Sequence, residues 1–236
     1  MSAAVVIVAA GSGSRFGGEP KQFRQLGGAP LLAWSCSTFA RQRRISEVVV
    51  VVPDRIADDP PAWLSERAGR VVAGGRTRRE SVARGLEALS GEHATVLVHD
   101  GARPFATPGL IDRVLNATGE FAAIPGLSLT DTVKMVDAGD RVLSTLDRDR
   151  LRTVQTPQGF PLDLLRELHS SAEERGTPAT DDAYLAELAG IPVRIVGGSA
   201  LNLKITTPED LALAEWLISS GRTAAEEIEP PFPDGG

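Results

Sequence analysis

The sequence predicts an α/β protein organised around a doubly wound, mostly parallel sheet. Three features of the chain support this. Short, unbroken, β-branched runs recur along its 236 residues, each suited to a strand buried on both faces. Segments of helical periodicity alternate with them, which is the rhythm of a parallel sheet. Glycine-rich or Asp-Gly loops follow several of the strands, at the carboxyl ends where such sheets bind ligands. At 42% hydrophobic and 24% charged residues, the chain can bury a core and stay in water.

Taken in order, residues 5–8 (Val-Val-Ile-Val) form the first strand, which stops at a loop carrying Gly11, Gly13, Gly17 and Gly18. A helix over 30–41 holds the single cysteine, Cys36, read as a small core residue; one cysteine excludes an intramolecular disulfide and a cysteine-rich metal cluster. A strand over 47–52 ends at Pro53-Asp54, and a short helix over 60–68 precedes a short strand over 70–73. Gly74-Gly75 turns the chain into a helix over 79–89, with Val82, Leu86 and Leu89 on one face. The strand at 94–99 runs into Asp100-Gly101-Ala102-Arg103-Pro104, followed by a helix over 110–118 and a strand over 121–124.

The rhythm changes at 127–154. Segments 132–136 and 141–145 flank Asp137-Ala138-Gly139-Asp140, the signature of a β-hairpin with no helix between its strands. Inserted in a parallel-sheet domain, such a hairpin (about 131–153) is expected to project as an arm and pair with another subunit. A loop at 155–160 leads into a helix over 162–175. A helix over 182–189 and a strand over 192–196 follow, and then a last helix capped by Thr207 with Pro208 in its first turn. The proline-containing tail 226–236, closing on Asp-Gly-Gly, is expected to be disordered, which leaves one domain over 1–225.

The net charge of −6 argues against broad binding to nucleic acid or anionic membrane, while leaving room for local cationic pockets. No apolar run is long enough to span a bilayer, and Met1-Ser2 runs straight into a strand without a signal-peptide region, so a cytoplasmic location is expected. Lysine is scarce: Lys21, Lys134 and Lys204 stand against twenty-two arginines. Lys21 and Lys204 lie beside anion-site signals, where a compact, flexible point charge is useful.

The opening loop fails two known fingerprints. Gly11-Ser12-Gly13 begins a dinucleotide G-x-G-x-x-G, but Phe16 holds the third glycine position, and no acidic residue ends the second strand. No Gly-Lys-Ser/Thr follows for a Walker loop. What remains, A-A-G-x-G-x-R followed by P-K, is either a plain glycine turn or a phosphate cradle in which Arg15 and Lys21 add charge to backbone N–H groups. We read it as holding a nucleoside triphosphate.

Three further clusters stand out. In Gly74-Gly75-Arg76-Thr77-Arg78-Arg79-Glu80-Ser81, Arg76 and Arg79 fit a solvated face, whereas Arg78 and Ser81 are better placed for a ligand. Asp100 can receive a ribose hydroxyl, face the water shell of Mg²⁺, or simply make a turn with Gly101. His99 is expected to pack or bond locally rather than act as a base. Arg148 sits among charges, Thr180-Asp181-Asp182 can cap a helix, and 202–206 reads as an edge strand.

The ordered set A-A-G-S-G-S-R…P-K, G-G-x-x-R-x-x-S-V, H-D-G-A-R-P, D-T-V-K, R-x₇-T-P-Q, A-T-D-D and N-L-K-I-T-x-P-E-D covers almost the whole chain. It resembles the 2-C-methyl-D-erythritol 4-phosphate cytidylyltransferases. The first motif is shared among nucleotidyltransferases; the ordered set is specific. The resemblance implies a Rossmann-like, GT-A-like nucleotidyltransferase fold, a homodimer through the arm, and CTP, methylerythritol phosphate and Mg²⁺ as ligands. It implies that Ala9, Ala10, Gly11, Gly13, Gly75, Arg78, Ser81 and Gly101 serve the nucleotide, and that Arg15 and Lys21 serve the triphosphate. It further implies that Asp100 and Arg103 lie where nucleotide, metal and sugar phosphate meet. Thr132 and Arg148 would reach the partner's sugar phosphate, and Thr156, Thr180 and Lys204 their own. Two positions depart from the family pattern: Gly101, where alanine is common, and Arg76, where an acidic residue is common. The rival readings are a ribitol 5-phosphate cytidylyltransferase, a sugar-1-phosphate nucleotidyltransferase, a catalytically silent nucleotide binder and an NAD-dependent oxidoreductase. Phe16 disfavours the last.

Overall fold

The computed structural model describes residues 2–11, 21–176 and 179–232. Strand β1 (Ala3–Val8) precedes a single 3₁₀ turn (Lys21–Phe23), a small hairpin β2 (Gln25–Leu26) and β3 (Ala29–Pro30), and helix α1 (Leu31–Arg41). Then come β4 (Ile45–Val52), α2 (Asp54–Asp58), α3 (Ala62–Arg67), β5 (Arg70–Ala73), α4 (Arg78–Glu87) and β6 (Thr95–Asp100). Helix α5 (Pro108–Ala117) and β7 (Ala122–Ser128) lead to the hairpin β8 (Val133–Val136) and β9 (Val142–Leu146), and to the strands β10 (Arg152–Val154) and β11 (Gln158–Pro161). The chain continues through α6 (Leu162–Glu174), α7 (Asp182–Leu188), β12 (Val193–Gly197), α8 (Pro208–Ser219) and α9 (Arg222–Ala225).

The main sheet runs β10-β7-β11-β6-β1-β4-β5, with β12 also paired to β7. β1 lies parallel between β4 and β6, and its alternation explains both layers. Val5 and Ile7 pack with Leu32, Cys36 and Phe39 of α1, whereas Ala4 and Val6 pack with Val82 and Leu86 of α4 on the opposite face. Each fully buried valine or isoleucine stabilises by roughly 1.5–3 kcal/mol, and this run has no polar residue to spoil either face. From β1 the chain moves outward to β4 and β5 and then crosses back to β6. The carboxyl ends of β1 and β6 therefore flank a topological switch point, the place where an open α/β sheet forms a crevice.

Several expectations need correction. The loop at 155–160 contains β11, antiparallel between β6 and β7, and β10 adds another antiparallel edge. Gly159 and Pro161 argue against a strand by composition, yet Gly159 is what lets β11 slide under α5: a Cβ there would lie 2.3 Å from Thr118 Oγ1. Segment 202–206 is not a strand but a loop tied down by hydrogen bonds. Residues 226–232 are not a loose tail. Ile228 is buried with Trp34, Phe105 and Leu217, and Arg67 lies 4.5 Å over the Phe232 ring while donating to the Pro231 carbonyl at 2.9 Å. Residues 233–236 lie outside the described residues.

Other expectations hold. Cys36 is buried, and burial pushes its thiol up to about 12, so it is an inert core residue. Thr207 caps α8 in a reciprocal capping box with Asp210. The β8–β9 hairpin forms its own two-stranded sheet and exposes Met135, Val136, Val142, Leu143 and Leu146. No described helix is long and apolar enough to cross a membrane.

Candidate active site

A cleft of about 510 Å³ opens at the switch point, lined by Val8, Ala10, Gly11, Lys21, Gln22, Gly75, Arg76, Thr77, Arg78, Ser81, Asp100, Ala102 and Lys204. That volume suits a ligand of nucleotide size. Its floor is set by backbone closure: Ala9 N–H donates to the Val51 carbonyl (2.7 Å), Gly74 N–H to Val52 (2.8 Å) and Gly101 N–H to Val8 (2.9 Å). Gly74 is required where it stands, because a Cβ would come within 2.2 Å of the Ala10 methyl. The helix α4 entry is shaped by Ser81, whose hydroxyl donates to the Thr77 carbonyl (2.8 Å) and accepts from Gly75 N–H (3.1 Å). Thr77 caps the helix by accepting from Glu80 N–H (3.1 Å).

Asp100, at the end of β6, is the electrostatic hub. Its carboxylate accepts from Lys204 Nζ at 2.8 Å and Arg78 Nε at 3.3 Å, and Arg103 Nε lies 3.9 Å away. Burial alone would raise its pKa, but Arg78 and Lys204 hold it far below the ordinary carboxylate range. Arg78 also donates to Asp182 at 2.8 Å; although burial opposes its charge, Asp182 and Asp100 keep it firmly protonated. Lys21 reaches across to the Ile205 carbonyl at 2.9 Å, so both lysines meet at the 202–206 loop.

That loop is fixed from below. Ile205 N–H donates to the Ala102 carbonyl (2.9 Å), Arg103 Nη1 to the Asn202 carbonyl (2.8 Å) and Asn202 Nδ2 to the Thr156 carbonyl (2.7 Å). Under Asp100 runs a buried relay. Asp100 N–H donates to Thr156 Oγ1 (3.0 Å), and Thr156 Oγ1 meets His99 Nδ1 (3.1 Å). His99 Nε2 faces the Arg103 carbonyl (3.0 Å) and must donate to it, because a carbonyl only accepts, so Nδ1 accepts from Thr156. Burial pushes His99 down to about 4, and with both nitrogens occupied it is a brace, as its sequence context predicts, and not a base.

Of the expected site residues, Ala10, Gly11, Lys21, Gly75, Arg78, Ser81, Asp100 and Lys204 gather on the cleft. Gly13 and Arg15 lie outside the described residues. Four other expected residues, Ala9, Gly101, Arg103 and Thr156, are not among those lining the cleft. Ala9 packs its methyl into the core. A Cβ on Gly101 would press on Leu32 (2.9 Å) and Ala9 (3.1 Å), so this glycine serves packing. The Thr156 hydroxyl takes part in the relay, and Arg103 Nη1 donates to the 202–206 loop. Thr132 and Arg148 sit exposed at the arm, away from this chain's own cleft, with Arg148 donating to the Thr130 carbonyl; Thr180 is exposed just before α7.

Sequence reasoning missed Gln22, Thr77 and Asp182. The Asp-Asp pair splits its work: Asp181 caps α7 by accepting from Tyr184 N–H (3.0 Å), while Asp182 is buried against Arg78. Arg76 lines the mouth, but its side chain is 94% exposed, as a solvated face predicts.

Among the described residues, Asp100 is the only carboxylate lining the cleft, and no group of three or more metal-binding side chains occurs. Such a donor set fits a divalent cation that takes most of its ligands from phosphate and water, as a nucleotide brings, with Asp100 as the protein's contribution.

A family profile described as "IspD: 2-C-methyl-D-erythritol 4-phosphate cytidylyltransferase" matches residues 3–220. A 2-C-methyl-D-erythritol 4-phosphate cytidylyltransferase from Halalkalibacterium halodurans is 41% identical over 225 residues, covering 93% of this chain and 98% of that one. A bifunctional enzyme IspD/IspF from Nitratidesulfovibrio vulgaris is 47% identical over 225 residues, 89% of this chain; the match spans only 57% of that longer protein. The crystal structure of 2-C-methyl-D-erythritol 4-phosphate cytidylyltransferase from Thermus thermophilus superposes with a TM-score of 0.76 at 41% identity, covering 91% of this chain and 98% of that one. With its cation-lined cleft at the switch point and a profile match over most of its length, the chain belongs to the 2-C-methyl-D-erythritol 4-phosphate cytidylyltransferase family.

Proposed function

We propose that this protein transfers CMP from CTP to 2-C-methyl-D-erythritol 4-phosphate, releasing pyrophosphate, in the non-mevalonate synthesis of isoprenoid precursors. The observation that carries the reading is the convergence of Lys21, Arg78 and Lys204 on one cleft, where Asp100 is the one lining carboxylate among the described residues. That balance favours a polyanion.

The chemistry needs no general base. The acceptor is a phosphate monoester with a second pKa of about 6, so it is largely dianionic at neutral pH. Its oxygen attacks the α-phosphorus, the bond to the β-phosphate oxygen breaks, and the electron pair leaves with pyrophosphate. The protein has to hold two anions in line and neutralise charge as it develops. Lys21, with Arg15, serves the triphosphate; Lys204, braced by Asp100, holds the acceptor phosphate. Ala10, Gly11, Gly75 and Ser81 shape the wall against which cytidine lies, and Thr180 approaches the acceptor. Mg²⁺ beside Asp100 would screen the phosphate oxygens when bound.

The exposed apolar arm supports a homodimer, because a lone two-stranded hairpin is marginal in water and a contiguous apolar patch invites a partner. In that dimer Thr132 and Arg148 reach the acceptor in the partner's cleft. The reading places the protein in the cytoplasm. Pyrophosphate release from CTP and methylerythritol phosphate tests it: Lys21→Ala is expected to lower turnover by about a hundredfold or more with its melting temperature unchanged. Near-normal turnover in the folded variant would remove Lys21 from the mechanism.

A further inference from the structure

Asp182 has no obvious reason to be a carboxylate. It is the first residue of α7, but Asp181 already caps that helix, so the cap does not need it. Its side chain is 2% exposed, a costly place for a charge unless every lone pair is matched. Both oxygens are matched: Oδ2 accepts from Arg78 Nη1 at 2.8 Å and Oδ1 from His169 Nε2 at 2.9 Å. Because a carboxylate only accepts, His169 presents a hydrogen on Nε2, and its buried Nδ1 has no hydrogen-bond partner among the described residues. His169 comes from α6 and Asp182 from α7, so two helices behind the cleft are joined at one point.

Arg78 is the reason this matters. It lines the cleft, and two of its three nitrogens are held from two sides: Nε by Asp100 (3.3 Å) and Nη1 by Asp182 (2.8 Å). Two fixed carboxylates set the plane of a guanidinium as one cannot. The third nitrogen, Nη2, is buried and has no hydrogen-bond partner among the described residues.

We propose that Asp182, itself held by His169, is a positioning residue for Arg78, fixing the guanidinium in the wall of the cleft where the nucleotide lies. This rests on the nucleotide reading of the cleft. The path joins α4, where the nucleotide wall begins, to the start of α7, two residues after Thr180 on the acceptor side. Asp182 acts at a distance, through Arg78, and touches neither substrate.

The test is a double-mutant cycle on the intact chain, read by CTP affinity in calorimetry and by steady-state kinetics. Asp182→Asn keeps the shape and removes the charge opposing Arg78, so the guanidinium pairs with Asp100 alone. The dissociation constant for CTP is expected to rise about tenfold, with the loss appearing in KM for CTP and not in KM for the acceptor. In an Arg78→Ala background the same change is expected to add less than about twofold. CTP affinity in Asp182→Asn within about twofold of wild type, or an effect of equal size in both backgrounds, would overturn the proposal. Should Asp182→Asn fail to fold, His169→Gln takes its place. It leaves the carboxylate but loosens it, with about a threefold loss expected that vanishes in Arg78→Ala; persistence there would equally overturn it. Wild-type protein in the same calorimeter separates the two readings: no CTP binding there fails the functional reading itself, whereas binding with an unchanged variant fails only Asp182.

Discussion

Replacing Thr156 by valine isolates the brace beneath Asp100. Valine keeps the shape of threonine and removes only the oxygen, so packing is conserved while two buried hydrogen bonds vanish. Thr156 is 4% exposed and His99 fully buried, so water cannot replace what is lost. Asp100 N–H loses its acceptor at 3.0 Å, and His99 Nδ1 loses its donor at 3.1 Å. A buried polar group left unmatched costs about 1–3 kcal/mol, and the two together give a loss of about 3 kcal/mol. For a chain of this length that lowers the melting temperature by about 6–12 °C. Urea unfolding followed by circular dichroism reads the stability, and steady-state kinetics read the acceptor's KM. If Thr156 instead faced the sugar phosphate, as family resemblance implies, the pattern would invert. A stability loss under about 0.5 kcal/mol together with a raised acceptor KM would refute the relay.

Three further outcomes are expected. His99 is pushed down to about 4 from 6.5 by burial, so the unfolded chain takes up its proton first as pH falls. Its contribution is complete above 6.5 and is lost progressively down to 4, by about 2 kcal/mol at pH 5. Asp100, Asp182 and Glu47 are all lowered, so they lose their contributions only in more acidic solution. Urea midpoints between pH 7 and 5 should fall in wild type and fall less in His99→Gln; equal slopes would contradict this. Gly74→Ala forces a methyl to within 2.2 Å of Ala10, and should cost about 1–3 kcal/mol and weaken CTP binding in calorimetry; unchanged affinity would show that the strand exits tolerate separation. Val142→Asp on the arm should give a monomer in light scattering with little change in melting temperature, and a dimer that persists would move the interface elsewhere.

The central sheet was legible because its strands carry their own instructions. Val5 to Val8 and the valines of β4 are continuous and apolar, and nothing in them fits another environment. The cleft was legible in part, because glycine pairs and Asp-Gly loops at strand ends are local signals. β11 was not, since Gln158-Gly159-Phe160-Pro161 looks like a turn and becomes a strand only by fitting between β6 and β7. Nor was the direction in which Thr156 and Arg103 point, because their partners Asp100 and Asn202 lie 56 and 99 positions away in the chain. The Arg78–Asp182 contact spans 104 positions, and neither end announces it. The packing of 226–232 depends on Trp34 and Phe105, far from any signal in the tail itself.

The claim that the cleft joins CTP to a branched polyol phosphate is tested most directly by pyrophosphate release with CTP or UTP, each paired with methylerythritol phosphate or ribitol phosphate. CTP with methylerythritol phosphate is expected to be the fastest pair, with release absent when either substrate is withheld. Release only with ribitol phosphate would contradict the acceptor, and no release with any pair would contradict the enzyme.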